Sequence, residues 1–396
     1  MKKAAFYTLG CRANQHQTFC LECQMSNPPA GRAGDKCQIV NFNETADIYI
    51  INTCTVTYDA ERKSRQAIRR AIRQNPKAKI IVTGCYSKLE PDKLLKEFSQ
   101  IEIIDVPSLA SSIQPLGPQI RANLMIQDGC EHFCSYCIVP YARGKIKSKP
   151  LRQVIEEANQ LVKAGAREIV LTGINLGTYE NDLATVIRHL ASIKNLLRIR
   201  LSSLEPMYIK KELIDSIAQN PKVCQHLHLP LQSGNNDILK SMNRNYSSAH
   251  YFDLVNYIRE KMPDCGITTD VIVGFPGEGN KEFQQTVDLI GKIKFSRLHV
   301  FSYSKRKGTA AADFSNQVDE KTKKTRNKTL RKLGTRLMVE FANQYINKQV
   351  EILVEQAGTG ITRNYIRVIY HKKEGEVGQL RLLKINQVLP DHCLAS

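Results

Sequence analysis

No stretch of this 396-residue sequence is apolar for long enough to span a bilayer. The first residues, Met1-Lys2-Lys3-Ala4-Ala5-Phe6, are basic but lack the sustained apolar run and cleavage site of an export signal. A cytoplasmic location is the expectation. In that reducing compartment twelve cysteines do not read as a disulfide framework; they point to metal or catalysis. Acidic residues are also scarce: 38 Asp and Glu face 57 Lys and Arg, a net charge of +19. The excess is large for an enzyme of small anionic substrates and suits a polyanion, nucleic acid first. Its distribution agrees. Arg62, Lys63, Arg65, Arg69, Arg70 and Arg73 crowd one predicted helix, and residues 305–332 hold another basic cluster.

A further absence says more about chemistry. The run Gly129-Cys130-Glu131-His132-Phe133-Cys134-Ser135-Tyr136-Cys137-Ile138 has the spacing C-x3-C-x2-C and no fourth cysteine. Three thiolates so spaced fit three corners of a cubane [4Fe–4S] cluster. A fourth would close the site for electron transfer; without it one iron is open to bind and activate something. The alternatives are a zinc knuckle or three buried thiols. Zinc would want a fourth ligand nearby and usually takes C-x2-C pairs, and His132 lies inside the loop, where it would compete poorly.

Upstream, residues 4–9, 47–52 and 79–83 read as buried strands, with a helix over 58–74. Each of these strands is followed by a cysteine: Cys11, Cys54 and Cys85. The carboxyl ends of strands in an open α/β sheet share one edge, so these thiols can converge there and hold a second cluster. Three separate buried thiols are the alternative. Residues 90–117 read as helix and linker, with Pro107, Pro115 and Pro118 as punctuation. Apolar strands at 122–127, 167–172, 197–202, 225–230, 268–274 and 297–302 then alternate with helices such as 151–164 and 281–292. That rhythm implies a parallel sheet with outer helices, an open or closed barrel. A basic helix over 318–345 leads to strands near 350–355, 365–370 and 379–385, separated by Gly358, Gly360, Gly375 and Gly378. These predict a small antiparallel barrel, either RNA-binding or passive.

Tyr136 before the last cysteine makes the loop resemble that of the radical S-adenosylmethionine (SAM) superfamily. Further runs narrow the resemblance to its methylthiotransferases: Ile138-Val139-Pro140-Tyr141-Ala142-Arg143-Gly144, Arg200-x-Ser202-Ser203-x-Glu205-Pro206, His228-x-Pro230-Leu231-Gln232-Ser233-Gly234, Thr269-Asp270-x-Ile272-Val273-Gly274-Phe275-Pro276-Gly277-Glu278 and Tyr303-Ser304-x-Arg306-x-Gly308-Thr309. The resemblance covers nearly the whole chain, in order. It implies an N-terminal open α/β domain over 1–117 with an auxiliary cluster, a radical SAM partial (β/α) barrel over 118–340, and a TRAM-like RNA-binding β-barrel over 345–396. Tyr7-Thr8-Leu9-Gly10-Cys11-x-x-Asn14-Gln15 and Thr172-Gly173-Ile174-Asn175-Leu176-Gly177 look most like the branch that methylthiolates threonylcarbamoyladenosine at tRNA position 37.

The resemblance implies two [4Fe–4S] clusters, one on Cys130, Cys134 and Cys137 and one on Cys11, Cys54 and Cys85. It further implies SAM contacts from Gly173, Asn175, Ser203 and Glu205, with Gln232 and the Val273-Gly274 edge facing ribose or adenine. Glu205 could instead be a salt-bridging barrel residue. The implied partners are the tRNA anticodon loop and an electron donor such as flavodoxin or ferredoxin, for a monomer without a membrane. The rival readings are methylthiolation of isopentenyl-adenosine tRNA, methylthiolation of a ribosomal-protein aspartate, and a non-catalytic RNA-binding iron–sulfur protein. One stretch departs from the pattern. In similar sequences the loop after Cys11 runs into an amphipathic helix. Here residues 18–37 intervene, with Pro28, Pro29, Gly31 and Gly34, which cannot continue a helix. Cys20, Cys23 and Cys37 in that stretch match no ligand of similar proteins. They are read as incidental, or with His16 as a zinc site.

Overall fold

The computed structural model describes residues 1–27, 36–107, 109, 119–371 and 376–396. The first five strands run parallel because both faces of their sheet are covered. Strands β1 (Lys2–Thr8), β2 (Cys37–Val40), β3 (Ile48–Thr53), β4 (Lys79–Gly84) and β5 (Ile101–Ile103) pair in the order β2-β1-β3-β4-β5. Around them lie α1 (Arg12–Ser26), α2 (Tyr58–Gln74), α3 (Cys85–Leu89) and α4 (Pro91–Glu97). Strand β5 was not foreseen in the helix-and-linker stretch. Helix α2 starts where Thr57 accepts from the Ala60 N–H, and it buries Ala67, Ile68 and Ala71 while Arg62, Arg69, Arg70 and Arg73 face out. In this strand order the chain reverses direction between β1 and β3, which opens a crevice at their carboxyl ends.

Helix α1 corrects the expectation for residues 18–37. It runs unbroken to Ser26 and stops before Pro28; the Pro and Gly residues of concern lie outside the described residues. It was hard to see because it is buried on two sides. Phe19, Cys20 and Cys23 join the core of the next sheet, while Leu21 and Met25 pack on Ala4, Cys37 and Ile50 of the first. A helix covered all round shows no single apolar stripe. Cys20 and Cys23 are therefore packing residues at a seam, and Cys37 is a strand residue on the other side. No zinc cluster forms from them and His16 among the described residues.

The middle of the chain supplies β6 (Arg121–Asp128), β7 (Lys147–Ser148), β8 (Glu168–Gly173), β9 (Arg198–Leu201), β10 (His226–His228), β11 (Gly266–Val273) and β12 (Arg297–Ser302). Strands β6, β8 and β9 are parallel neighbours, as are β10, β11 and β12. Isolated bridges Ile199–Val223 and Ser203–His228 join the two halves into one curved sheet. Strands β6 and β12 do not pair, so the barrel is open. Helix α5 (Val139–Arg143) follows the cysteine loop and packs on α3; the other helices are α6 (Leu151–Lys163), α7 (Leu183–Ala191), α8 (Lys211–Gln219), α9 (Asn236–Ser241), α10 (Ser248–Lys261), α11 (Asn280–Ile293) and α12 (Glu320–Asn343).

The chain ends in a closed barrel, β13 (Gln349–Gln356), β14 (Thr359–Thr362), β15 (Arg367–Tyr370), β16 (Leu380–Val388) and β17 (Cys393–Ala395), in the order β13-β14-β15-β17-β16. It is not wholly antiparallel as expected: β15 and β17 run parallel. Five strands cannot alternate in direction all the way round a ring, so one pair must be parallel. This barrel plugs the floor of the open one. Arg198 and Arg200, both buried on β9, donate to the carbonyls of Ile361, Thr362 and Arg363. Arg200 also pairs with Glu168 at 2.7 Å; against burial, Arg200 and Arg121 hold that carboxyl at about 2. Tyr365 adopts a left-handed backbone (φ 75°), stacks on His226 at 4.3 Å, lies under Arg200 and accepts from Arg12 Nη2 at 3.1 Å.

Candidate functional site

Two Gly-Cys turns show how the strands deliver their cysteines. Gly84, after β4, and Gly129, after β6, both have positive φ (98° and 79°). A Cβ on Gly84 would meet the Thr53 carbonyl at 2.4 Å, and one on Gly129 the Lys145 carbonyl at 2.0 Å. Only glycine fits either place. Each turn lets the chain double back so that the following cysteine lies at the carboxyl edge of its sheet.

The first triad is held by loop contacts. Cys130 N–H donates to Gly144 O, and Cys137 N–H to Cys134 O at 2.9 Å. Ser135 is tied by its N–H to Met242 O and by its hydroxyl to Ser241 O. Cys134 is buried, which alone would raise its pKa. His132 and Arg244 outweigh burial and lower it, Arg244 Nη1 standing 3.4 Å from Cys134 Sγ. Burial pushes Cys137 up to about 12, so ligation there must displace a firmly held proton.

Of the residues expected to contact SAM, Asn175 meets this loop directly and Glu205 meets it through Arg244. Gly173 ends β8, and Asn175 donates from Nδ2 toward Cys130 Sγ at 3.9 Å. Gln127 Oε1 accepts from the Asn175 N–H at 2.8 Å, which fixes the turn. Asn175 Oδ1 is buried without a hydrogen-bond partner. Such an orphaned acceptor beside a thiol triad fits a polar ligand that supplies a donor. Ser203 and Glu205 follow β9. Glu205 forms an ion pair with Arg244, so the arginine links that carboxylate to Cys134. The salt-bridging reading of Glu205 thus holds, and the bridge lies within the site. Gln232 follows β10 with φ 62° and is fixed through its N–H to Asp270 O.

The second triad sits across from the first. Asn14 Nδ2 donates to Leu9 O and Thr53 O, pinning together the loops that carry Cys11 and Cys54. Cys54 and Cys85 are buried and Cys11 is exposed. Burial raises Cys54 to about 11. Burial also raises Cys85, opposed by Arg143 beside it. Arg143 ends α5, just downstream of the first triad, and pairs with Asn14 and with Asp128 at 3.6 Å. It joins the two cysteine groups through a few side chains. A second tie is Arg306, which pairs with Glu61 and donates to Thr55 Oγ1 at 2.9 Å, next to Cys54.

A cleft of about 170 Å³ opens beside Cys137 of the first triad, lined also by Gln232, Asp270, Ile272 and Phe301; the side of the second triad reaches it through Val56 and Thr57, just past Cys54. Neither triad draws its ligand atoms within the 4.8 Å that a single metal ion needs. Three thiolates with no fourth protein ligand are the donor set of a cluster that keeps one iron open. Arg143, Arg244, Glu61 and Arg306 are the functional neighbours that spacing alone did not mark as such. Arg143 and Arg306 stood inside quoted motifs; Arg244 and Glu61 carried no local signal, because tertiary folding brings them in.

Most of the chain is similar to known proteins. The radical SAM superfamily matches residues 124–290, and Uncharacterized protein family UPF0004 matches residues 3–105. The threonylcarbamoyladenosine tRNA methylthiotransferase MtaB of Bacillus subtilis (strain 168) is 38% identical, over 97% of this chain and 94% of that one. The protein of the same name from Aquifex aeolicus (strain VF5) is 35% identical, over 96% and 98%. A tRNA-2-methylthio-N(6)-dimethylallyladenosine synthase of Endomicrobium trichonymphae is 33% identical, over 97% and 98%. In fold, the chain is similar to the radical SAM methyltransferase TsrM of Kitasatospora setae. The TM-score is 0.59 at 13% identity, covering 79% of this chain and 75% of that one.

Proposed function

Because the chain belongs to the methylthiotransferase family of radical SAM enzymes, with SAM and a [4Fe–4S] cluster implied by that membership, we propose that it adds a methylthio group to C2 of N6-threonylcarbamoyladenosine at position 37 of tRNA. The observation that carries this reading is the cleft with Cys137 on one wall and the turn past Cys54 on the other. A reaction that joins sulfur to an unactivated ring carbon needs a radical source and a sulfur source facing one substrate atom. When bound, SAM and the cluster supply one-electron cleavage of a sulfonium and hence a carbon radical.

The chain's own residues then have separable tasks. Cys130, Cys134 and Cys137 would ligate the first cluster, with Arg244 and His132 favouring the thiolate of Cys134. Asn175, Gly173, Ser203 and Glu205 would orient SAM's polar groups. Gln232 would face its ribose or adenine. Ile272 and Phe301 would give the cleft an apolar surface on which a base can rest. Cys11, Cys54 and Cys85 would hold a second cluster on the sulfur-donating side, with Arg143 offsetting its negative charge.

The division into segments 1–117, 118–340 and 345–396 belongs to the same proposal, as do a cytoplasmic monomer and a flavodoxin- or ferredoxin-like electron donor. The target base must leave its stack to enter the cleft, which an anticodon-loop nucleotide does at small cost. The basic face of α2 and the C-terminal barrel would grip phosphates. Mass spectrometry of tRNA nucleosides from cells with and without the gene tests the proposal. Loss of the methylthio form of threonylcarbamoyladenosine supports it. Loss of the methylthio form of isopentenyladenosine, or of a methylthio-aspartate in a ribosomal protein, would replace the substrate.

A further inference from the structure

Below Ile272 and Phe301, the inner face of the curved sheet turns polar. The period of two in β11 and β12 puts Asp270 on the same face as Ile272, and His299 on the same face as Phe301; the register pairs Asp270 with His299 and Ile272 with Phe301. His228, at the end of β10, completes a trio. His228 Nε2 lies 3.3 Å and His299 Nδ1 3.1 Å from Asp270 Oδ1, and the two imidazoles stack at 5.4 Å. Thr268 Oγ1, 2.9 Å from His228 Nδ1, fixes that ring from behind. Asp270 lines the cleft beside Cys137 and Gln232. His299 and Phe301 are both exposed, on the last strand of a barrel that does not close. An apolar shelf therefore sits over a polar floor, open at the side.

This arrangement has no use for a hydrocarbon. Both imidazoles meet Asp270 Oδ1, so an apolar group that covers the carboxylate strips water from Oδ2 and puts no donor in its place. A ligand with hydroxyl and amide N–H groups can donate to Asp270, and its own carboxylate can accept from a ring N–H of His299. In an adenine whose C2 lies between Cys137 and the turn past Cys54, the N6 substituent leaves from the far side of N1. The ring would rest on Ile272 and Phe301, and the substituent would reach the floor. We infer that Asp270, His228 and His299 read the N6 substituent of the target adenosine, accepting one that carries hydroxyl, amide and carboxylate groups and rejecting a hydrocarbon one. This rests on the substrate reading above and deepens it. Sites built to hydrogen-bond a substrate group discriminate strongly against analogues lacking it.

The test is binding of the reconstituted holoenzyme to two synthetic anticodon stem-loops that differ only at the target base, threonylcarbamoyladenosine in one and isopentenyladenosine in the other. The parent should bind the first at least ~10-fold more tightly. His299→Phe and Asp270→Leu should each cut that ratio by about tenfold or more, while His299→Gln, which keeps a hydrogen-bonding side chain, should retain most of it. His299 is exposed at a sheet edge, so His299→Phe decides the matter even if Asp270→Leu folds poorly. A ratio unchanged in His299→Phe would overturn the inference and leave the substrate reading standing. A parent that prefers the isopentenyl stem-loop would overturn both.

Discussion

Arg306, in the turn after β12, forms an ion pair with Glu61 on α2, and both side chains are nearly buried. Thr55 Oγ1 donates to the same carboxylate at 2.7 Å, so the pair ends one residue from Cys54. It is a clamp between the sheet that carries the first triad and the sheet that carries the second. Arg306→Ala should leave Glu61 buried without its cation and destabilise the protein by about 3 kcal/mol. Methylthio product should fall roughly 100-fold, because the two halves of the cleft lose their register. SAM cleavage to deoxyadenosine should persist, since its groups lie in the curved sheet. Equal loss of both products would show that Arg306 does more than set the distance between triads.

The triads themselves should separate by iron content and by product. Changing Cys130, Cys134 and Cys137 together to Ala should leave about half of the reconstituted iron and abolish SAM cleavage. Changing Cys11, Cys54 and Cys85 instead should keep deoxyadenosine formation and abolish methylthio transfer. Changing Cys20 and Cys23 to Ala should leave iron unaltered, because both are core residues of the α1 seam. Iron unchanged by the first substitution would reject the ligand assignment.

What was legible in the sequence divides along these lines. Cysteine spacing and strand ends are local, so both triads could be found from a few residues each. Arg244, Glu61 and the Asp270–His299 pair are set by register between distant segments, which no local pattern records. Helix α1 is obscured in the sequence by Pro28, Pro29, Gly31 and Gly34, which follow its last residue, Ser26. Those residues end a helix; they do not prevent one from preceding them. The parallel β15–β17 pair follows from a strand count that β14 and β17, too short to predict, were needed to complete.

The C-terminal barrel should prove inseparable from the rest. Removing residues 345–396 would strip the carbonyl partners from buried Arg198 and Arg200. The truncated chain should therefore aggregate or melt early, rather than simply lose affinity for RNA. Tyr365→Ala should cost about 3 kcal/mol, through loss of the His226 stack and the Arg200 contact. Tyr365→Phe, which keeps the ring and loses the hydroxyl that meets Arg12 and Arg121, should cost about 1 kcal/mol. Thermal unfolding of the three variants checks the order, and a stable, SAM-cleaving truncation would refute it.

Acid should reveal the α1 seam. Burial lowers the pKa of His16 to about 4 from 6.5, and burial raises that of Cys20 to about 12. Both are thus neutral, with His16 Nδ1 donating to Asn123 O at 2.9 Å and its other nitrogen 3.6 Å from Cys20 Sγ. Below pH 6.5 the unfolded chain takes up a proton at this histidine that the folded chain refuses until about pH 4. Stability conferred by the neutral ring is complete above 6.5 and is lost as pH falls through that window, by roughly 3 kcal/mol. Urea unfolding at stepped pH should show the decline in the parent and a flatter curve in His16→Gln. The same slope in both would clear His16 of responsibility.

The most direct test of the central claim is turnover by the anaerobically reconstituted enzyme with SAM, a reductant and a sulfur source. Two tRNA samples identical except for prior threonylcarbamoylation should be compared, with their nucleosides read by mass spectrometry. The account predicts the methylthio form of threonylcarbamoyladenosine from the pre-modified tRNA and no methylthio nucleoside from the other. Deoxyadenosine released without any methylthio product from the pre-modified tRNA, or methylthio transfer to isopentenyladenosine instead, would contradict it.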